Sequence, residues 1–140
     1  MDHTVTEPSY LFVYGTLRRA AATKWSRFLA SVSRPVGMGR TRGALFRLNG
    51  YPGMVASARD DEWVGGEVVL MNEPSSLLPV LDAYEKCGPA DPPPHEYARQ
   101  VIDVVLDNGQ TIRAWAYLYR LGTEDKPRIP AGDYLRPMGS

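Results

Sequence analysis

The chain has 140 residues, 44% hydrophobic and 23% charged, which fits one folded core and excludes both disorder and two full-sized domains. Sixteen basic side chains offset sixteen acidic ones, so no electrostatic footprint points to nucleic acid or an anionic membrane, and a small molecule or another protein is the expected partner. Cys87 is the single cysteine, residues 1–8 lack a signal-peptide layout and no apolar run nears the ~20 residues of a membrane span, so a reducing, cytoplasmic setting is expected.

Residues 1–9 read as a flexible N-terminus and 10–137 as one domain. Tyr10-Leu11-Phe12-Val13-Tyr14 is a short β-prone run that Gly15 ends. Trp25, Phe28, Leu29 and Val32 recur at helical spacing, with Thr23 as the expected cap and Pro35 and Gly37 as the expected stop. Gly43 to Leu48 and Trp63 to Met71 read as strands around a turn at Tyr51-Pro52-Gly53. Gly65-Gly66 predicts a bulge or a close backbone approach.

A second helix is predicted from Pro74 to about Lys86, with Leu77, Leu78, Leu81 and Tyr84 as its apolar face. Gly88 to Pro94 is a stiff, exposed proline-rich loop. Asp107-Asn108-Gly109 then joins Tyr97–Leu106 to Gln110–Arg120 as a hairpin. Both faces of this hairpin are apolar. Ile102, Val104 and Leu106 oppose Val101 and Val105 on one arm, and Trp115, Tyr117 and Tyr119 alternate with Ile112, Ala114, Ala116 and Leu118 on the other. A hairpin covered on both sides suits an α+β fold, with a small curled mixed sheet or barrel flanked by two main helices.

Two segments can carry chemistry. Tyr14-Gly15-Thr16-Leu17-Arg18 ends a strand in a sharp turn, where unpaired backbone N–H groups can grip a carboxylate or a polarised carbonyl. Leu81-Asp82-Ala83-Tyr84-Glu85 puts two carboxylates three apart at the end of an apolar-faced helix, where one can enter a cavity and gain basicity. Taken alone, each reads first as an ordinary turn or a solvated helix end.

Together, in this order and spacing, they resemble the γ-glutamylcyclotransferase-like family, which includes the γ-glutamylamine cyclotransferases and the AIG2-like proteins. Tyr97-x-Arg99, Ala114-Trp115-Ala116-Tyr117 and Gly132-Asp133-Tyr134 extend the resemblance from Tyr10 to about Leu135. Two features depart from it. Lys86-Cys87-Gly88 follows Glu85 where the family typically has glycine at once, and the Pro89–Pro94 stretch is longer than usual.

The resemblance implies an enzyme that closes a γ-glutamyl group to 5-oxoproline and releases a free amine, with no metal or organic cofactor. It implies Glu85 as general base and acid, and Tyr14, Gly15, Thr16, Leu17 and Tyr117 as substrate-binding residues. Two other roles fit the same fold: a non-enzymatic binding or regulatory protein, and a biosynthetic enzyme that deprotects one γ-glutamyl intermediate.

Other patterns carry less. Cys87 and His95 lack a third, orienting group for nucleophilic catalysis. With Asp82 and Glu85 they match no standard zinc spacing. Gly37-Met38-Gly39 follows a helix rather than a strand, against a dinucleotide fingerprint. Arg34, Arg40, Arg42 and Arg47 read as a solvated face in a chain of neutral net charge.

Overall fold

The computed structural model describes residues 8–15, 23–48, 51–57, 59 and 61–129. Thr16, Leu17, Arg18 and the Gly132-Asp133-Tyr134 motif lie outside them. In chain order the elements are β1 (Tyr10–Val13), α1 (Lys24–Ser31), β2 (Ser33–Arg47), β3 (Pro52–Ala56), β4 (Trp63–Met71), α2 (Pro74–Tyr84), β5 (Tyr97–Leu106) and β6 (Thr111–Tyr119).

The strands pair in the order β3-β2-β4-β1-β6-β5, and β2 returns to pair with β5 through Gly39↔Leu106 and Arg40↔Val105. Five strands therefore close into a barrel and β3 extends it as an extra strand. β1 runs antiparallel to β4 and parallel to β6, with Leu11 opposite Trp115.

Strand alternation divides the core into two layers. Phe12 joins Leu45, Val64, Val68, Val104, Ala114 and Ala116 in one cluster, the barrel interior. Leu11 and Val13 point the other way and pack with Leu29 of α1 and Leu77, Leu78 and Leu81 of α2. The two-sided apolar pattern of β6 follows from this, since Ala114, Ala116 and Leu118 fill the interior while Tyr117 and Tyr119 face the outer layer.

Thr23 caps α1 by accepting the Ser26 amide at 3.0 Å. β2 starts at Ser33, ten residues before the expected strand, and takes in Pro35 and Gly37. The sheet accommodates Pro35 because its register slips between Pro35 and Gly37 and because only β4 pairs with β2 there. Pro52 likewise opens β3, an edge strand, rather than sitting in a turn.

Of the two readings for Gly65-Gly66, the close approach is the one found. A Cβ on Gly66 would lie 2.5 Å from the Val13 carbonyl oxygen and 2.7 Å from the Phe12 ring. This contact lets β1 lie tightly across β4, and so sets the height at which β1 ends beside the tip of α2.

Candidate active site

α2 ends at Tyr84, two residues before the expected Lys86, and the manner of its ending turns Glu85 toward a cavity. The Glu85 amide still bonds to the Leu81 carbonyl at 2.8 Å. Lys86 then turns left-handed at φ 59°, its amide reaching Ala83 O at 3.1 Å while the Cys87 amide reaches Asp82 O at 2.9 Å. This double closure is the Schellman arrangement, which favours glycine at the left-handed position. Lys86 stands where the family resemblance implies glycine.

The turn separates the two carboxylates that helical spacing placed together. Asp82 accepts Arg99 Nε at 2.8 Å and Nη2 at 3.1 Å, and the Tyr117 hydroxyl at 2.7 Å. Arg99 also lies over the Trp115 ring, 4.4 Å from its centroid. Asp82 is thus a structural anchor that ties α2 to β5 and β6.

Glu85 instead lines a cavity of about 330 Å³ between the end of β1, the start of β3, the tip of α2 and the start of β5. Among the described residues its carboxyl has no hydrogen-bond or ion-pair partner. Burial, reinforced by the nearby Glu96 carboxylate, pushes its pKa up to about 7. A carboxyl so placed exchanges a proton near neutrality.

Tyr14 and Tyr117 both line this cavity, but their hydroxyls are engaged within the protein. Tyr14 donates to the Tyr117 carbonyl at 2.6 Å and accepts the Met54 amide at 3.2 Å. Burial raises its pKa well above the ordinary phenol value, and burial with the Asp82 bond does the same for Tyr117. Both therefore shape the wall as neutral rings. Gly15 lies at the mouth, where a Cβ would come within 2.9 Å of Pro52 Cγ. Thr16 and Leu17 lie outside the described residues.

Tyr97, Tyr51 and Glu96 also belong to the wall. Tyr97 donates to Pro52 O at 2.5 Å, which fixes the start of β3 against β5. Tyr51 donates to Glu96 Oε2 at 2.7 Å, a bond that pushes the Tyr51 pKa up to about 12. Glu96 is thereby a second carboxylate beside the cavity. Nothing in its local sequence marks it, because Tyr51 and Glu85 reach it only through the tertiary fold.

A second groove, on the far side of Tyr97, holds Asp82, Cys87, His95 and Arg99. Burial pushes the Cys87 thiol up to about 11, with the Asp82 and Glu85 charges acting the same way. His95 Nε2 lies 3.0 Å from the Asp91 carbonyl. A thiol held neutral is a poor nucleophile. Among the described residues no group of three or more His, Cys, Asp or Glu side chains converges as a metal site would require.

The family model for γ-glutamyl cyclotransferase, AIG2-like proteins matches residues 11–136. The chain belongs to that family. It is 32% identical over 114 residues to a Methanocaldococcus jannaschii protein provisionally named a γ-glutamylcyclotransferase, covering 79% of this chain and 83% of that protein. The crystal structure of YkqA from Bacillus subtilis superposes with a TM-score of 0.67 at 30% identity, over 91% of this chain. This chain spans only 39% of that protein's length. A mouse AIG2-like protein shares the fold, with a TM-score of 0.69 at 20% identity over 96% of this chain and 99% of its own. Within this family fold, the Glu85 carboxyl, without a partner among the described residues, and the Tyr14-Gly15 strand end open onto one cavity.

Proposed function

We propose that this protein cyclises a γ-glutamyl group to 5-oxoproline and releases the amine to which the group was joined. The observation that carries the reading is the Glu85 carboxyl, unpaired among the described residues, buried in a cavity, and with its pKa raised to about 7.

The reaction moves two protons from the α-nitrogen to the leaving nitrogen, one of them through Glu85. The substrate's α-ammonium gives a proton to ionised Glu85, and the freed amine attacks the γ-carbonyl carbon. A C–N bond forms and the carbonyl oxygen takes up negative charge. As the tetrahedral centre collapses and the original C–N bond breaks, Glu85 returns its proton to the leaving nitrogen, and the ring nitrogen gives its second surplus proton to the departing amine. The products are the lactam and the amine as its ammonium ion, and the carboxylate is regenerated. A carboxyl with a pKa near 7 accepts and returns a proton at similar cost, as both halves require.

The backbone N–H groups of Gly15, Thr16 and Leu17 serve as donors to the substrate's carboxylate or to the developing oxyanion. Tyr14 and Tyr117 hold the glutamyl chain by shape, since their hydroxyls are already bonded. Folding the chain into its cyclising conformer supplies much of the acceleration, because the attack is intramolecular. The test is 5-oxoproline release from a panel of γ-glutamyl amino acids, peptides and amines. Release from at least one supports the reading, the preferred compound names the leaving group, and none from any contradicts it.

A further inference from the structure

Glu85 accounts for one carboxylate of the cavity, but Glu96 lines it too and has no part in the proton transfers described above. Tyr51 holds one of its oxygens, Oε2, at 2.7 Å. Among the described residues Glu96 makes no other side-chain hydrogen bond or ion pair, so its second oxygen is available.

Most of the rest of the wall is aromatic, with Phe12, Tyr14, Tyr51, Tyr84, Tyr97 and Tyr117 all contributing. Lys86, exposed at the rim, is the one cationic side chain among the described lining residues. Two carboxylates within aromatic walls make a poor home for an anion. They suit an ammonium group, which gains charge-assisted hydrogen bonds from the acids and attraction from the ring faces. A fixed carboxylate also serves better than a free one, since the Tyr51 bond removes the entropy lost on ordering it.

We propose that Glu96, anchored by Tyr51, is the ammonium-binding residue of this cavity and holds the substrate's α-ammonium beside Glu85. The assignment rests on the γ-glutamyl reading for the identity of that ammonium. It divides the work of the two acids: Glu96 binds, while Glu85 exchanges the proton. The burden on Glu85 follows from the same arrangement, because the neighbouring Glu96 charge raises its proton affinity.

The test compares two probes by calorimetry, γ-glutamyl-ethylamide and glutaryl mono-ethylamide. They share the carboxylate and the amide, but the second lacks the α-amine. The Glu85→Gln protein is used so that turnover does not intervene and Glu96 is the remaining lining carboxylate. This protein should bind the first probe roughly 10- to 100-fold tighter than the second, the worth of a charge-assisted hydrogen bond.

Adding Glu96→Gln, which keeps the size of the side chain and an acceptor for Tyr51, should shrink the gap to about threefold or less. Tyr51→Phe in the Glu85→Gln background leaves the charge but releases it, and should narrow the gap part of the way. A gap unchanged by Glu96→Gln, or no gap in the Glu85→Gln protein, overturns the assignment. Wild-type 5-oxoproline release together with an unchanged gap would sink this assignment alone. A gap lost with Glu96→Gln, in a protein that releases no 5-oxoproline, would sink cyclisation alone.

Discussion

The Tyr117 hydroxyl donates to Asp82 Oδ1 at 2.7 Å, on the carboxylate that Arg99 grips through two nitrogens. One residue on β6 thereby forms a wall of the Glu85 cavity with its ring and braces α2 with its oxygen. The Asp82–Arg99 pair is mostly buried, with side-chain exposures of 16% and 24%. Removing one partner strands the other in a poorly solvated place. Asp82→Ala is expected to destabilise the fold by about 2–3 kcal/mol, read as a lower urea midpoint at unchanged slope. A loss under about 0.5 kcal/mol would mean that water replaces the pair without cost.

Glu85 behaves in the opposite sense. Its pKa is about 7 in the folded chain against an ordinary value of 4.5, so the folded state holds a proton that the unfolded state has released between those pH values. Stability therefore falls as pH rises through this window. The favourable difference is fully present below about 4.5 and gone above about 7. Glu85→Gln removes the buried charge, and should leave stability nearly unchanged at pH 4 while raising it by on the order of 2 kcal/mol at pH 8. Thermal unfolding at the two pH values checks this. Equal effects at both would contradict burial as the cause of the raised value.

Activity should show the same group. Glu85 must be ionised to accept the ammonium proton, so kcat/KM is expected to rise about tenfold per pH unit below 7 and then to level. A limb centred near 4.5 would mean that the working acid is solvated and is not the buried Glu85.

Lys86 has a left-handed backbone, φ 59°, at the C-terminal turn of α2. A side chain in that conformation costs about 1 kcal/mol relative to glycine. Lys86→Gly should recover about that amount despite the added freedom of the unfolded chain, seen as a rise in the urea midpoint. A fall would show that the lysine side chain stabilises the turn by more than its backbone costs.

Gly66 offers the reverse test. Its missing side chain is what admits Val13 O and the Phe12 ring, and neither is the flexible end of a side chain. Gly66→Ala should cost about 1–3 kcal/mol through overpacking, and the displaced end of β1 should weaken substrate binding as well. Both follow from one pair of measurements, unfolding and KM.

How far the sequence discloses this molecule depends on whether a signal is local. Trp63–Met71 appears with the expected bounds because alternation and turn residues define it. The 97–119 hairpin appears because Asp107-Asn108-Gly109 fixes its turn. Pro35 and Pro52 mislead because a proline reads as a stop, yet each sits where a strand edge or end has no ladder partner for its nitrogen. Glu85 stands out through its motif. Its separation from Asp82 does not, because helical spacing makes them neighbours until the left-handed Lys86 ends the helix. Glu96 and Tyr51 are 45 residues apart, and no pattern in the sequence brings them to Glu85.

The measurement that bears most directly on the account is 5-oxoproline release at pH 8 by the wild type and by Glu85→Gln, with the best γ-glutamyl compound of the panel. The wild type should release 5-oxoproline, and the variant, which keeps the size and shape of the side chain, should lose roughly 10²–10⁴-fold in rate. Equal rates in the two proteins would contradict the account, because the proton would then travel by a route that does not pass through Glu85.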